Sequence, residues 1–173
     1  MSKIKNLFPG LGIGLIGVLL LFRNLIGHDI SHTLWGNDFD PNLIYWNFEW
    51  AYYILWQQWD PAHFWNANSF YPHLNTLAYS DSLLGAQLFY APLRALGIAP
   101  LTAMYTTFAV TTLLGCVFAD YALRRIGGFS TVERAFVVFA SHFAISSTTF
   151  LGGHYQLFGF QLLPSFILFA YLY

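Results

Sequence analysis

Long apolar runs with very few charged residues are the feature of this sequence that most restricts its fold. The clearest run extends from Leu101 to Leu123 and ends at Arg124-Arg125. Asp, Glu, Lys and Arg make up only 9% of the 173 residues, whereas soluble domains carry about a quarter. A helix of about 20 apolar residues can cross a hydrocarbon layer of roughly 30 Å. We therefore expect an all-α, polytopic integral membrane protein.

Four membrane spans are predicted, at about residues 7–26, 100–123, 134–151 and 156–173. The first run is longer than the roughly 7–15 residues of a signal-peptide core, so we expect it to be retained as a span. It contains four glycines that predict close approach by another helix, namely Gly10, Gly12, Gly14 and Gly17. The last run has no polar tail. This favours a single membrane domain that is the amino-terminal part of a larger protein.

The basic residues predict the orientation of the spans. Lys3 and Lys5 precede the first span, and three arginines bracket the turn between the second and third, whereas residues 27–99 hold six acids and only Arg94. Basic residues concentrate on the cytoplasmic side of membrane proteins. The amino terminus is thus predicted to be cytoplasmic in the cell membrane, with residues 27–99 as a long first extracytoplasmic loop.

That loop is predicted to contain short helices lying in the membrane interface. Asp40-Pro41 and Asp60-Pro61 each have the pattern of an N-cap followed by proline at the first helical position. The first helix, about 41–59, carries apolar and aromatic residues at helical spacing, which suit the interfacial plane: Leu43, Trp46, Trp50, Tyr53 and Ile54. Residues 83–96 are too short for a full crossing, and we expect an interfacial or re-entrant helix there.

Two aspartates in this loop, Asp38 and Asp40, are the best candidates for catalysis. Carboxylates two residues apart can bind one cation, or one of them can take a proton from an attacking hydroxyl. The alternative is structural, because Asp40 before Pro41 is also an ordinary N-cap and Asp38 can be a solvated turn residue. Glu49, on the aromatic helix, is interpreted as a carboxylate turned towards water.

Other polar residues give weaker signals. Four histidines of the loop could bind a metal, but their spacing matches no known ligand set: His28, His32, His63 and His73. His154, at the outer end of the third span, returns to the side of the aspartates and is a candidate for contact with a lipid phosphate, or else a histidine in a turn. Asp120 precedes Arg124 by four residues, a spacing that predicts a structural ion pair. Ser130 and Glu133 predict a capping box.

With these residues in view, the chain resembles the amino-terminal part of the GT-C superfamily, which comprises multispan glycosyltransferases that use polyprenyl-phosphate-linked sugars. The resemblance is carried by an ordered set of short motifs: Asp40 six residues before Trp46, then Asn47 and Trp50; Phe70-Tyr71-Pro72; Leu77-Ala78; Leu83-Leu84-Gly85 with Pro92; Arg124-Arg125; and Gly153-His154 before Leu163-Pro164.

The resemblance implies a catalytic aspartate in the first outer loop and a donor such as dolichyl or undecaprenyl phosphate sugar. By position Asp40 fits this role best, but Gly36 is followed by Asn37-Asp38 rather than directly by aspartate, so Asp38 stays open. Trp46, Tyr71 and His154 are the predicted substrate-binding residues. The superfamily also has many more spans than the four predicted here.

The predicted function is therefore transfer of a sugar from a polyprenyl-phosphate-linked donor to an extracytoplasmic acceptor. The alternative is a non-enzymatic multispan protein, such as a lipid-linked glycan transporter or an assembly subunit. A net charge of −1 and the absence of any basic run argue against a nucleic-acid partner. A requirement for a divalent cation stays open, and the single cysteine, Cys116, excludes an intrachain disulfide.

Overall fold

The computed structural model describes residues 8–36, 40–67, 72–80, 82–143 and 162–172. Every regular element in these ranges is helical, so the predicted all-α class is confirmed. These described ranges contain six α-helices: α1 (Phe8–Leu21), α2 (Asp40–Tyr52), α3 (Gln87–Ala95), α4 (Pro100–Ile126), α5 (Thr131–Phe143) and α6 (Leu163–Leu172). Residues 1–28 with 108–173 form one compact unit, and residues 29–107 form a second.

Helix α4 has the length and composition of a membrane span. Its 27 residues correspond to about 40 Å, and an 18-residue stretch within it has a mean hydropathy of 1.6. It ends at Gly127, whose φ of +82° and N–H bond to the Leu123 carbonyl form a typical helix stop. Within the described residues, α4 is the one helix that meets the length and hydropathy requirements for crossing.

The other predicted spans are shorter as helices. Helix α1 has 14 residues where residues 7–26 were predicted, and it continues into a 3-10 turn at Arg23–Leu25. Helix α5 is described from Thr131 to Phe143, and residues 144–151 lie outside the described part. Helix α6 has ten residues within the predicted 156–173. The polytopic arrangement therefore stays a prediction.

The first unit confirms the role predicted for the glycines of α1. A Cβ at Gly10 would lie 2.8 Å from both the Cys116 carbonyl oxygen and the Asp120 Cβ, and one at Gly14 would lie 3.0 Å from Leu113. A Cβ at Gly17 would overlap the ring of Phe143. Three of the four glycines thus allow α1 to approach α4 and α5 closely. At Gly12 a Cβ would meet no atom of the described residues within 4 Å, so a close approach is not found there.

The turn between α4 and α5 is held by charges. Asp120, only 1% exposed, accepts hydrogen bonds from Arg124 Nη2 at 2.6 Å and from Arg134 Nε at 3.0 Å. The predicted Asp120–Arg124 pair is confirmed, with Arg134 as an additional partner. The capping box is also confirmed, because the Ser130 N–H binds the Glu133 carboxylate and the Glu133 N–H binds the Ser130 hydroxyl.

The second unit is built around α2. Its buried residues, Ile44, Phe48 and Ala51, recur at helical spacing, and the helix continues as a π-helical turn through Tyr53–Gln57. A small core beneath this end consists of Ala51, Ile54, Phe64, Ala67 and Leu77. The helix predicted at about 41–59 is therefore confirmed over Asp40–Gln57. The placement of its aromatic residues in the membrane interface stays a prediction.

The remaining loop helices are short. Asp60-Pro61 opens only a single 3-10 turn, Pro61–His63, and the Asp60 side chain bonds His63 instead of capping it. Residues 83–96 form a 3-10 turn at Leu84–Ala86 followed by the nine-residue α3. At about 14 Å, α3 is too short to cross a bilayer, which agrees with the prediction of a short helix there.

Candidate functional site

The segment that leads into the candidate aspartates is fixed to the start of α4. The hydroxyl of Tyr105 accepts a hydrogen bond from the Trp35 N–H at 3.0 Å and donates one to the Thr33 carbonyl at 3.0 Å. Tyr105 is 5% exposed and lies about 7 Å along the helix from Pro100. One tyrosine hydroxyl therefore holds the backbone five residues before Asp40.

The structure describes the backbone of one of the two predicted catalytic residues. Asp40 is the first residue of α2, which agrees with a helix start at Asp40-Pro41. Asp38 lies outside the described residues. The choice between a catalytic and a structural role for each of these aspartates therefore stays a prediction.

Of the predicted substrate-binding residues, only Trp46 is described. Its ring stacks on Trp50 with centroids 5.9 Å apart and an interplanar angle of 12°. Both rings pack against the small core of this unit, and Trp50 Nε1 donates a hydrogen bond to the Phe64 carbonyl at 2.9 Å. Trp46 is thus half-buried in an aromatic stack. Tyr71 and His154 lie outside the described residues.

Glu49 takes part in an ion pair that sequence reasoning missed. Arg94 donates from Nε to Glu49 Oε1 at 2.8 Å and from Nη2 to Oε2 at 3.1 Å. A third arginine hydrogen, on Nη1, bonds the Ile98 carbonyl at 2.7 Å. The guanidinium carbon lies 5.4 Å from the ring centre of Tyr52. The Glu49 side chain is 30% exposed, so the interpretation of a carboxylate turned towards water holds only in part, and it missed the bidentate pair that joins α2 to α3.

Tyr90 completes this network from a fully buried position. Its hydroxyl donates a hydrogen bond to Glu49 Oε1, and its ring lies 4.7 Å from that of Phe48. Burial raises the pKa of Tyr90 well above its usual value, and the hydrogen bond to Glu49 raises it further. The hydrogen bond to Glu49 likewise raises the pKa of Arg94. Three donors bind the Glu49 carboxylate. This side chain therefore links α2 to α3 and is not a free base.

Two of the four loop histidines, His32 and His63, are paired with nearby aspartates. His32 Nδ1 lies 2.8 Å from the Asp29 carboxylate, and His63 Nδ1 lies 2.8 Å from that of Asp60. Both pairs are solvent-exposed and join residues three apart. In the described ranges, no group of three or more His, Cys, Asp or Glu side chains could hold a metal ion.

The sequence offered no direct signal for two of these anchors. Tyr105 and Trp35 are 70 residues apart, and Glu49 and Arg94 are 45 apart. The presence of Arg94 as the single basic residue among six acids was a usable hint, since a lone arginine in an acidic loop favours a pair with one of them.

Comparison with known proteins adds no assignment to this geometry. No family model, curated protein or solved structure matches the chain.

Proposed function

We propose that this chain belongs to a membrane glycosyltransferase of the GT-C type, which transfers a sugar from a polyprenyl-phosphate-linked donor to an extracytoplasmic acceptor. Asp40 or Asp38 is the proposed base. Its carboxylate takes the proton of the acceptor hydroxyl while the hydroxyl oxygen attacks the anomeric carbon. The bond from that carbon to the phosphate oxygen breaks, and the polyprenyl phosphate leaves with the electron pair.

The observation that carries the proposal is the attachment of residues 33–35 to Tyr105. Helix α4 is long and apolar enough to cross a membrane, and Tyr105 lies in its second turn. A segment bound there lies near the end of the span, at the depth of the lipid headgroups if α4 crosses the bilayer. This is where the sugar phosphate of a lipid-linked donor would be, and Asp40 follows within five residues.

A second support is that the other described carboxylates of the loop already have hydrogen-bond or ion-pair partners. Glu49 binds Arg94 and Tyr90, Asp29 binds Ser31 and His32, and Asp60 binds His63. Each is thus engaged in a described hydrogen bond or ion pair. Asp29, Glu49 and Asp60 are therefore poorer candidates for the base than Asp38 and Asp40, the pair proposed from the sequence.

The proposal is tested by incubating membranes that contain the protein with labelled polyprenyl-phosphate sugars. Asp40→Asn, Asp38→Asn and the double variant are compared with Asp60→Asn, which removes an exposed carboxylate of the same loop. We expect transfer by the wild type and by Asp60→Asn, and its loss in at least one of the single variants. Wild-type turnover in the double variant would remove the aspartates from the mechanism. A wild type with no transfer from any donor would instead favour the non-enzymatic alternative.

A further inference from the structure

The groove between α4 and α6 has a basic end and an apolar end. The two helices are joined by the Ser165 hydroxyl, which is buried and donates a hydrogen bond to the Gly115 carbonyl at 2.7 Å. Further along, the Phe169 ring stacks on Tyr121 with centroids 6.0 Å apart and meets Phe118 edge-on at 6.4 Å. These contacts hold α6 against α4, and two cavities lie along the groove between the two helices.

The basic end is a cavity of about 360 Å³ lined by Tyr121, Arg124, Arg125, Phe169 and Leu172. Its volume is within the range of small-molecule sites, about 300–1,000 Å³. Two adjacent arginines therefore contribute to a single concave surface beside two aromatic rings.

The arginines at this end carry uncompensated positive charge. Asp120 is bound by both Arg124 and Arg134, so its single negative charge is shared between two guanidinium groups. Arg125 is exposed and makes no hydrogen bond or ion pair within the described part of the chain. Arg124 Nε, also in that part, is buried without a hydrogen-bond partner. These groups favour an anion with several acceptor oxygens, as a phosphate has.

The apolar end is a second cavity, of about 270 Å³, lined by Phe118, Leu162, Ser165, Phe166 and Phe169. Phe169 lines both cavities, so the two are adjacent. Phe118 precedes Tyr121 by one helical turn on α4, and its ring and that of Phe166 are exposed. A ligand that fills both ends must carry a charged group and a hydrocarbon chain on one molecule.

We propose that this groove binds an anionic phospholipid of the cytoplasmic leaflet. The phosphate lies between Arg124 and Arg125, and an acyl chain follows the groove past Phe169 to Phe118 and Phe166. The leaflet follows from the arginines, because basic residues at the end of a span lie on the cytoplasmic side, where basic pockets between helices bind anionic headgroups. The inference rests on α4 crossing the membrane and is independent of the proposed sugar transfer.

The test uses the full chain, purified in a neutral detergent, with native mass spectrometry to count retained lipids. Phosphatidylglycerol is compared with phosphatidylcholine of the same acyl chains, and Arg125→Gln is compared with Arg23→Gln, which removes an exposed arginine elsewhere. We expect preferential retention of phosphatidylglycerol, an approximately fivefold loss in Arg125→Gln and no loss in Arg23→Gln. Equal retention of the two lipids, or an equal loss in both variants, would overturn the proposal.

Two further experiments complete the test. One distinguishes a bound lipid from a free anion, and the other uses a second variant, so that the test does not depend on the folding of Arg125→Gln alone. Inorganic phosphate shares the headgroup chemistry without the chain, so we expect it to displace the lipid poorly. Displacement as efficient as that by a short-chain phosphatidylglycerol would show a simple anion site and contradict the proposal. Phe166→Ser changes an exposed ring at the apolar end, and we expect weaker retention of the long-chain lipid. Unchanged retention in Phe166→Ser would contradict the position of the acyl chain.

Discussion

The Tyr105 hydroxyl accepts the backbone N–H of Trp35 at 3.0 Å across 70 residues of sequence. The same oxygen donates to the Thr33 carbonyl, so one side chain satisfies two backbone groups of a segment with no regular structure. Buried backbone groups without such partners are costly. The segment before Asp40 therefore has a fixed attachment point on α4.

Tyr105→Phe removes both hydrogen bonds while keeping the ring. A hydrogen bond of this kind contributes about 1 kcal/mol, so we expect the Trp35 amide to exchange its hydrogen about fivefold faster. In the transfer assay, kcat should fall more than KM changes, because the base is less well placed. The matched control is Tyr79→Phe, since the Tyr79 side chain is 89% exposed. Unchanged exchange at Trp35 would contradict the anchoring role.

Asp120→Asn leaves Arg124 and Arg134 without a negative partner. Removing one member of a buried ion pair costs about 3–5 kcal/mol, so the melting temperature of the detergent-solubilised protein should fall strongly. Arg23→Gln removes an exposed arginine that takes part in no described ion pair, and its melting temperature should stay near that of the wild type. Similar melting temperatures for both variants would show that the Asp120 cluster adds little stability.

Gly10→Ala places a methyl group against the Cys116 carbonyl and Asp120. Because a backbone atom cannot swing away, helices α1 and α4 must separate, and overpacking of this kind costs about 1–3 kcal/mol. Gly12→Ala enters open space and replaces a poor helix former, which favours the helix by up to about 1 kcal/mol. The two variants should shift the melting temperature in opposite directions. A fall of equal size in both would indicate that glycine has another role.

The Asp29 carboxylate provides a test of pH dependence. Its hydrogen bond from the Ser31 hydroxyl, followed by the one from His32, lowers its pKa from 3.8 to about 2. Because the folded value lies below the unfolded one, the bonds stabilise the turn above pH ~4 and are lost as the pH falls towards 2. A carboxyl NMR titration should report this low pKa, and Ser31→Ala should raise it. The distant Ser130→Ala should leave it unchanged, and an ordinary wild-type value would refute the turn geometry.

The features that the sequence predicted correctly are local or depend on a repeated pattern. The Ser130–Glu133 cap and the Asp120–Arg124 pair join residues three and four apart, which a helix brings together wherever it lies. The glycines of α1 were correctly interpreted as a packing surface, but Gly12 shows that spacing alone does not identify which face is covered.

The features that were missed depend on tertiary contacts. Glu49 was expected to face water because its neighbours are mixed polar and aromatic, and nothing nearby indicated that Arg94 would pack beside it. Arg134 joins Asp120 only because the turn at Gly127-Gly128 brings α5 back towards α4. The candidate site depends on a Tyr105–Trp35 bond of the same long-range kind, so the sequence predicted the segment but not its anchor.

The sidedness of the loop is the central claim, and cysteine accessibility tests it most directly. Cys116→Ser removes the single native thiol. His63→Cys then places a thiol at an exposed position of the proposed outer loop, and Arg125→Cys places one at the proposed cytoplasmic end of α4. In intact cells, a membrane-impermeant maleimide should label the His63→Cys protein, and it should label the Arg125→Cys protein only after permeabilisation. Labelling of the His63→Cys protein only after permeabilisation would contradict the topology and the proposed enzymology.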